Sequence, residues 1–113
     1  MYLIFVVLSK QYRIQLTEPL FQKFQHSGKR YRSDNLMAQV LLNDNDLTKF
    51  GVIVPKKLDK RSIKRNQTRR LVFEVVRGLH SRVKPGELVL IKVLNLAITK
   101  EEIEQLLVKA GIR

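Results

Sequence analysis

Apolar residues recur along this chain in two different periods, and the switches between them mark out its elements. The opening MYLIFVVL is apolar throughout and rich in Tyr, Ile, Phe and Val, which predicts a buried or edge strand over residues 1–8. Thr17-Glu18-Pro19 then has the form of a helix start, with an N-cap candidate, an acid in the first turn and a proline near the first helical position. Leu20, Phe21 and Phe24 follow at helical spacing, and Gly28 ends the segment. Residues 29–32 are polar and basic and predict a connection. Residues 36–42 read as a strand, Asn43-Asp44-Asn45-Asp46 as a turn, and residues 49–54 as a second strand stopped by Pro55. These two strands are expected to pair as a hairpin.

A helix is predicted from about Ser62, because Thr68, Val72, Val75, Val76 and Leu79 form one apolar stripe at helical intervals. Arg65 and Arg69 share another face, as do Asn66, Arg70 and Arg77, so the helix has a core side and a cationic side. Gly78 and residues 81–86 are expected to break it, and residues 88–94 read as a mostly buried strand. Thr99 caps a last helix, with Glu102 placed to complete a capping box and Ile103, Leu106, Leu107 and Ala110 supplying the apolar face. The order is strand, helix, strand, strand, helix, strand, helix. It predicts an α+β fold: a two-layer sandwich of one roughly four-stranded sheet and three helices, packed mainly on one face, in a single domain over residues 1–113.

Charge adds the next step. Lys and Arg number 22 against 10 Asp and Glu, a net charge of +12. An excess of that size points to a polyanionic partner: nucleic acid, an anionic membrane surface or an acidic protein. Much of it lies in KKLDKRSIKRNQTRRL, residues 56–71, which holds Lys56, Lys57, Lys60, Arg61, Lys64, Arg65, Arg69 and Arg70 against the single acid Asp59. Disordered basic tails do not grade into an apolar helical pattern as this run does. A solvated face that only aids solubility is the plainer account, but such a density of cations is strongly self-repelling without an anion. That favours polyanion binding, with RNA the first candidate. The arginines suit bidentate phosphate contacts and the lysines act as point charges.

Other chemistry is sparse. With no Cys, disulfides and thiolate metal sites are excluded, and His26 and His80 have no ligand-like neighbours. No phosphate loop or nucleophile motif occurs, and Glu101, Glu102 and Glu104 suit the first turns of a helix better than an active site. Eight apolar residues at the start fall far short of the ~20 that span a bilayer, and a basic cytoplasmic protein is the expectation. Phe21 and Phe24 are ordinary core candidates, or a stacking surface for single-stranded nucleotides; Tyr31 is a weaker candidate for the same role. Asn66 is either a plain helix-surface residue or an amide that bonds phosphate or a hydrated metal ion.

The chain resembles the protein component of bacterial ribonuclease P. The similarity rests on FGVIVPKK (50–57), LDKRSIK (58–64) and RNQTRRL (65–71), on LSKQYRIQLTEPLFQKFQHSGKRY (8–31), and on GELVLIKV with the Glu-rich helix ending in LLVKAG. It runs from about Leu8 onward and leaves residues 1–8 as an atypical extension. It departs from the family pattern at Gln67 (usually Arg), Phe73 (commonly basic), Pro55 (usually Ser or Ala) and Gln39 (often aromatic). The resemblance implies a protein that joins a large catalytic RNA to remove the 5′ leader of precursor tRNA. The RNA supplies the active site and holds Mg²⁺, and no obligate protein partner or membrane is implied. It also implies a left-handed crossover between the strands flanking the basic helix. By position, Lys56, Lys57, Lys60, Arg61, Lys64, Arg65, Asn66, Arg69 and Arg70 would face RNA. Phe21, Phe24 and Met37 would line a cleft for the leader, and Asn66 would share a metal ion with the RNA. Three alternatives stay open on the residues alone: a non-catalytic ribosomal or assembly factor, a membrane-surface protein using MYLIFVVL, and a self-sufficient nuclease.

Overall fold

The computed structural model describes residues 12–43, 47–79 and 83–112. The strand expected at 1–8 and the turn at 44–46 lie outside them. The elements run α1 (Glu18–Ser27), β1 (Lys29–Arg32), β2 (Leu36–Leu42), β3 (Lys49–Ile53), a 3-10 turn (Lys56–Leu58), α2 (Ser62–Leu79), β4 (Glu87–Val93) and α3 (Lys100–Lys109). The four strands form one mixed sheet in the order β1-β2-β4-β3.

Two strand expectations are corrected. β2 and β3 do not form a hairpin: β4 lies between them, antiparallel to β2 with Gln39 opposite Leu90, and parallel to β3 with Gly51 opposite Leu90. The reason lies in β4 itself. Leu88, Val89, Leu90, Ile91 and Val93 put apolar groups on both faces, and such a strand is satisfied only in the interior of a sheet. Residues 29–32 are not a connection but strand β1, paired antiparallel to β2 with Arg30 opposite Gln39. Its exposed charges are what a sheet edge carries when it must not recruit another strand.

Alternation along the strands divides the core in two. Leu36, Ala38, Phe50, Val89, Ile91 and Val93 face α2 and α3, meeting Val72, Val75, Val76, Ile103, Leu106 and Leu107. On the opposite face Leu41 and Leu90 meet Phe24 of α1, with Ile14, Leu20, Ile53 and Leu88 around them. The expected sandwich of four strands and three helices is therefore present, with two helices on one face and α1 on the other. Thr17 caps α1 as expected, its hydroxyl accepting from the Leu20 amide at 3.4 Å. Gly28 closes that helix where a Cβ would stand 3.0 Å from the Phe24 carbonyl oxygen. Gly78 does not break α2, which runs through it to Leu79.

Half of the expected capping box on α3 forms. Thr99 Oγ1 accepts from the Glu102 amide at 3.2 Å. The Glu102 carboxylate turns instead to the β1–β2 turn, accepting from Ser33 Oγ at 2.5 Å, the Asn35 amide at 2.8 Å and Asn35 Nδ2 at 2.9 Å. Asn35 in turn offers its carbonyl to the amide of Leu94, just beyond β4, at 2.8 Å. One carboxylate thus ties α3 to the β1–β2 turn beside the end of the central strand. Burial acts to raise its pKa, but the bonds from Ser33 and Asn35 outweigh this and the net direction is down.

A carboxylate lowered in the folded state stabilises fully above its unfolded pKa and loses that contribution as pH falls through the folded value. Glu102→Gln should therefore cost about 1–2 kcal/mol at pH 7, the range for charge-assisted bonds reduced for a partly exposed site. The gap from wild type should close towards pH 3. Urea unfolding at the two pH values measures it; an equal gap at both would mean that the charge is not what Ser33 and Asn35 recognise.

Candidate nucleic-acid interface

The basic run begins where β3 ends. Pro55 directs the chain out of the sheet into the 3-10 turn, where Lys56 and Lys57 are exposed and Leu58 packs against the core. Asp59 then organises the entry to α2. Its Oδ1 accepts from the backbone amide of Arg61 at 2.9 Å and from Nε at 3.0 Å, while Oδ2 takes Nη2 at 2.8 Å. Arg65 reaches back six residues and donates through Nη1 to the Asp59 carbonyl at 2.8 Å. The Asp59 carboxyl, hydrogen-bonded by the Arg61 side chain and amide, is held down to about 2. The same pairing raises the Arg61 guanidinium.

Helix α2 has two regimes along its length. From Val72 onward it has a buried stripe of Val72, Val75, Val76 and Leu79. Before that no residue is buried: Lys64, Asn66 and Arg70 are exposed and Arg65 and Arg69 half-buried. The core stripe expected to begin at Thr68 begins one turn later, because Thr68 turns its hydroxyl to the Lys64 carbonyl at 3.0 Å. The first half of the helix is thus an arm that the sheet does not cover. Lys56, Lys57, Lys60, Arg61, Lys64, Arg65, Asn66, Arg69 and Arg70 all lie on this arm or the turn leading to it. Asp59 is the run's only acid and is already taken by Arg61.

Asn66 accepts a hydrogen bond from Arg69 Nη2 through Oδ1. In this arrangement its oxygen orients a guanidinium. Among the described residues, no three His, Asp or Glu side chains gather where they could hold a metal ion.

A second feature lies on the α1 face of the sheet. Phe21 and Gln25 of α1, Arg30 of β1, Met37 and Gln39 of β2, and Ile53, Pro55 and Lys92 line a cleft of about 450 Å³. Of the three residues that the resemblance assigns to a leader cleft, Phe21 and Met37 line this one. Phe24 does not: it is fully buried against Leu41 and Leu90 and offers no face to a ligand. Three positions apart on a helix means about 60° around its axis, enough to turn one ring into the core and the other to the rim. Tyr31 also leaves the cleft, since its pairing with Ala38 turns it to the α2–α3 face.

Arg30, Lys92 and Gln39 belong to the cleft and were not among the sequence candidates. Arg30 was hidden by reading β1 as a connection. Lys92 breaks the apolar run of β4 and stands opposite Met37, a signal readable only once the register is known. Gln39 is 3% exposed, and its amide donates to the Phe24 carbonyl at 3.3 Å, so the floor of the cleft carries a polar group held by α1. The cleft combines a ring, two cations and an amide, which suits an extended strand with phosphates and unstacked bases.

The chain is similar in sequence and in fold to known proteins. Residues 8–111 match the family described as Ribonuclease P. A ribonuclease P protein component from Synechocystis sp. is 35% identical over 99 residues, covering 81% of this chain and 80% of that protein. One from Pseudanabaena sp. is 32% identical over 92 residues, covering 80% and 78%. The fold superposes on the RNase P protein of Staphylococcus aureus with a TM-score of 0.80 at 22% identity, covering 91% of this chain and 98% of that one. For the RNase P protein of Thermotoga maritima the values are 0.72 and 17%, with 88% and 94% covered.

Carbon-detected titration of Asp59 should give a midpoint near 2 in the wild-type protein. Arg61→Ala should move it up towards the ordinary carboxylate range, because the largest stabiliser of the charged form is gone. A midpoint that stays put would assign the depression to the lysine field and the helix end instead.

Proposed function

The chain belongs to the family of ribonuclease P protein components, and from that membership we propose that it is the protein subunit of a ribonuclease P. In this role it binds the catalytic RNA and the 5′ leader of precursor tRNA, and supports endonucleolytic removal of that leader. One observation carries the proposal: Pro55 is both a wall of the cleft and the residue before Lys56 and Lys57. The cationic arm therefore starts at the rim of the partly apolar groove, and one continuous polyanionic assembly can engage both.

The roles divide by chemistry. Lys56, Lys57, Lys60, Arg61, Lys64, Arg65, Arg69 and Arg70 contact RNA phosphates. Asn66 holds Arg69 in position. Phe21 and Met37 line the leader path. The protein brings no catalytic group of its own; the RNA carries the reaction and holds Mg²⁺. No helix among the described residues is long and apolar enough to cross a membrane, and the partners on this reading are ribonuclease P RNA and precursor tRNA.

The direct test is cleavage of a precursor tRNA by a bacterial ribonuclease P RNA at low Mg²⁺, with and without this protein. Correct 5′ cleavage restored by the protein, with none from protein alone, is the expected result. Tight RNA binding without restored cleavage by a cognate RNA would leave a non-catalytic RNA-binding protein. Within the restored system, Phe21→Ala should weaken precursor binding by about 1–3 kcal/mol, the usual worth of one stacked base. Binding of mature tRNA, which has no leader, should change little. Equal losses on both substrates would make Phe21 a packing residue only.

A further inference from the structure

A second cavity, of about 670 Å³, opens at the β3 edge of the sheet, away from the cleft under α1. Its lining includes Arg13, Lys49 and Arg69, with Phe73, Val52 and Gly51 between them, and it contains no carboxylate. The contrast with the larger cavity beside α3 is instructive, because there Arg32 and Lys109 are set against Asp34, Glu101 and Glu102. Opposed charges of that kind neutralise one another, whereas three cations around one hollow need an anion to offset their repulsion.

Backbone contacts set one side of the hollow. The Ile14 amide donates to the Phe50 carbonyl at 2.8 Å, and Arg13 bridges to Phe50 in parallel register, which sets Arg13 beside the strand edge. Gly51 permits that approach, since a Cβ there would stand 3.3 Å from Ile14 Cβ and 3.2 Å from Leu90 Cδ1. Lys49 is two residues from Gly51 and so shares its α1-side face of β3, reaching the hollow around the strand edge from the side opposite α2. Arg69 and Phe73 are four apart and share one face of α2. Asn66 holds the Arg69 guanidinium, so one of the three cations is already oriented. Phe73 is half-buried: its packing against the core fixes the ring while part of it lines the hollow.

A cationic hollow with an aromatic wall matches one chemical unit, a phosphate with an unstacked base. The exposed phosphates of a duplex would use the charges and ignore the ring, and a free phosphate would do the same. We propose that this cavity is a nucleotide subsite for the RNA subunit, in which Arg13, Lys49 and Arg69 take a phosphate and Phe73 stacks on the adjoining base. The inference rests on the reading of the chain as a ribonuclease P subunit. It extends the RNA-binding surface beyond residues 56–71 to the sheet edge, by way of Arg69, and it keeps this nucleotide apart from the leader strand at Phe21.

The test is binding of ribonuclease P RNA over a KCl series by wild type, Arg13→Gln/Lys49→Gln and Phe73→Leu, each shown to be folded by circular dichroism. The double variant should bind about tenfold more weakly and lower the log–log salt slope by roughly 0.7 for each phosphate it no longer neutralises. Phe73→Leu should bind about fivefold more weakly with the slope unchanged, since it removes stacking and no charge. An unaltered slope in the first, or unaltered affinity in the second, overturns the proposal. Both variants should keep the wild-type preference for precursor over mature tRNA; losing it would put the leader in this cavity and overturn the assignment to the RNA subunit. A readout without variants is the amide spectrum of the whole wild-type protein. Adenosine 5′-monophosphate should shift Gly51, Val52 and Phe73 at lower concentration than inorganic phosphate does, and equal responses would rule out the base contact. Wild-type protein that binds the RNA without supporting cleavage would sink the subunit reading while leaving these slopes and shifts to be judged on their own.

Discussion

The position of β4 constrains everything else in this molecule. It is buried on both faces and pairs with β2 on one side and β3 on the other. Because β3 and β4 are neighbours and parallel, the chain must leave one end of the sheet and return to enter from the opposite end, which no tight turn can do. Helix α2 makes that return. Its 18 residues span about 27 Å, whereas the seven residues of β4 span roughly 23 Å. The helix exceeds that length by only about 4 Å, less than one turn, so its exposed first half follows from side chains rather than length: residues 62–71 include none that is buried. The crossover needs a helix here; the buried stripe over Val72–Leu79 ties its second half to the core and leaves the first half free to carry charge.

The arm can therefore be as cationic as it is without damaging the fold. Lys64, Asn66 and Arg70 are exposed, and like charges in water repel weakly compared with the same charges in a low-dielectric interior. What the fold does supply is order at the entrance. Asp59 fastens the Arg61 amide and guanidinium, and Arg65 fastens the Asp59 carbonyl, so the short linker has a defined path from Pro55 to α2. A single acid placed before the helix thus shapes the arm while leaving most of its charge unspent.

Element types were largely legible in the sequence; their neighbours were not. The spacing of Val72, Val75, Val76 and Leu79 fixed a helix, and Thr17 and Thr99 marked two helix starts that the structure keeps. The hairpin expectation for β2 and β3 failed because adjacency in sequence is only a tendency, and the β4 run that displaces it lies far downstream of β3, beyond the whole of α2. β1 was missed because its side chains are all polar or aromatic and its strand identity comes from backbone pairing with β2. Glu102 matched the capping pattern, yet Ser33 and Asn35 compete for the same carboxylate and win. The basic run was the clearest part of the site in sequence. The cleft was the least clear, since Arg30, Gln39 and Lys92 come from three different strands and meet only through register.

Charge alone does not distinguish one RNA from another, because phosphates are the same everywhere along the chain. Selectivity in a protein of this kind must come from groups that ask something more of the ligand than its charge. The structure puts those groups at the two ends of the arm. At its start, beyond Pro55, the Phe21 ring and the buried Gln39 amide stand in a groove of about 450 Å³. At its far end, beyond Arg69, Phe73 stands in a hollow among three cations. Between them lies a stretch that any phosphate backbone can satisfy. On the proposed reading such an arrangement separates affinity from recognition: the arm would draw in the polyanion, and the two aromatic stations would accept it only where nucleotides are unpaired at both.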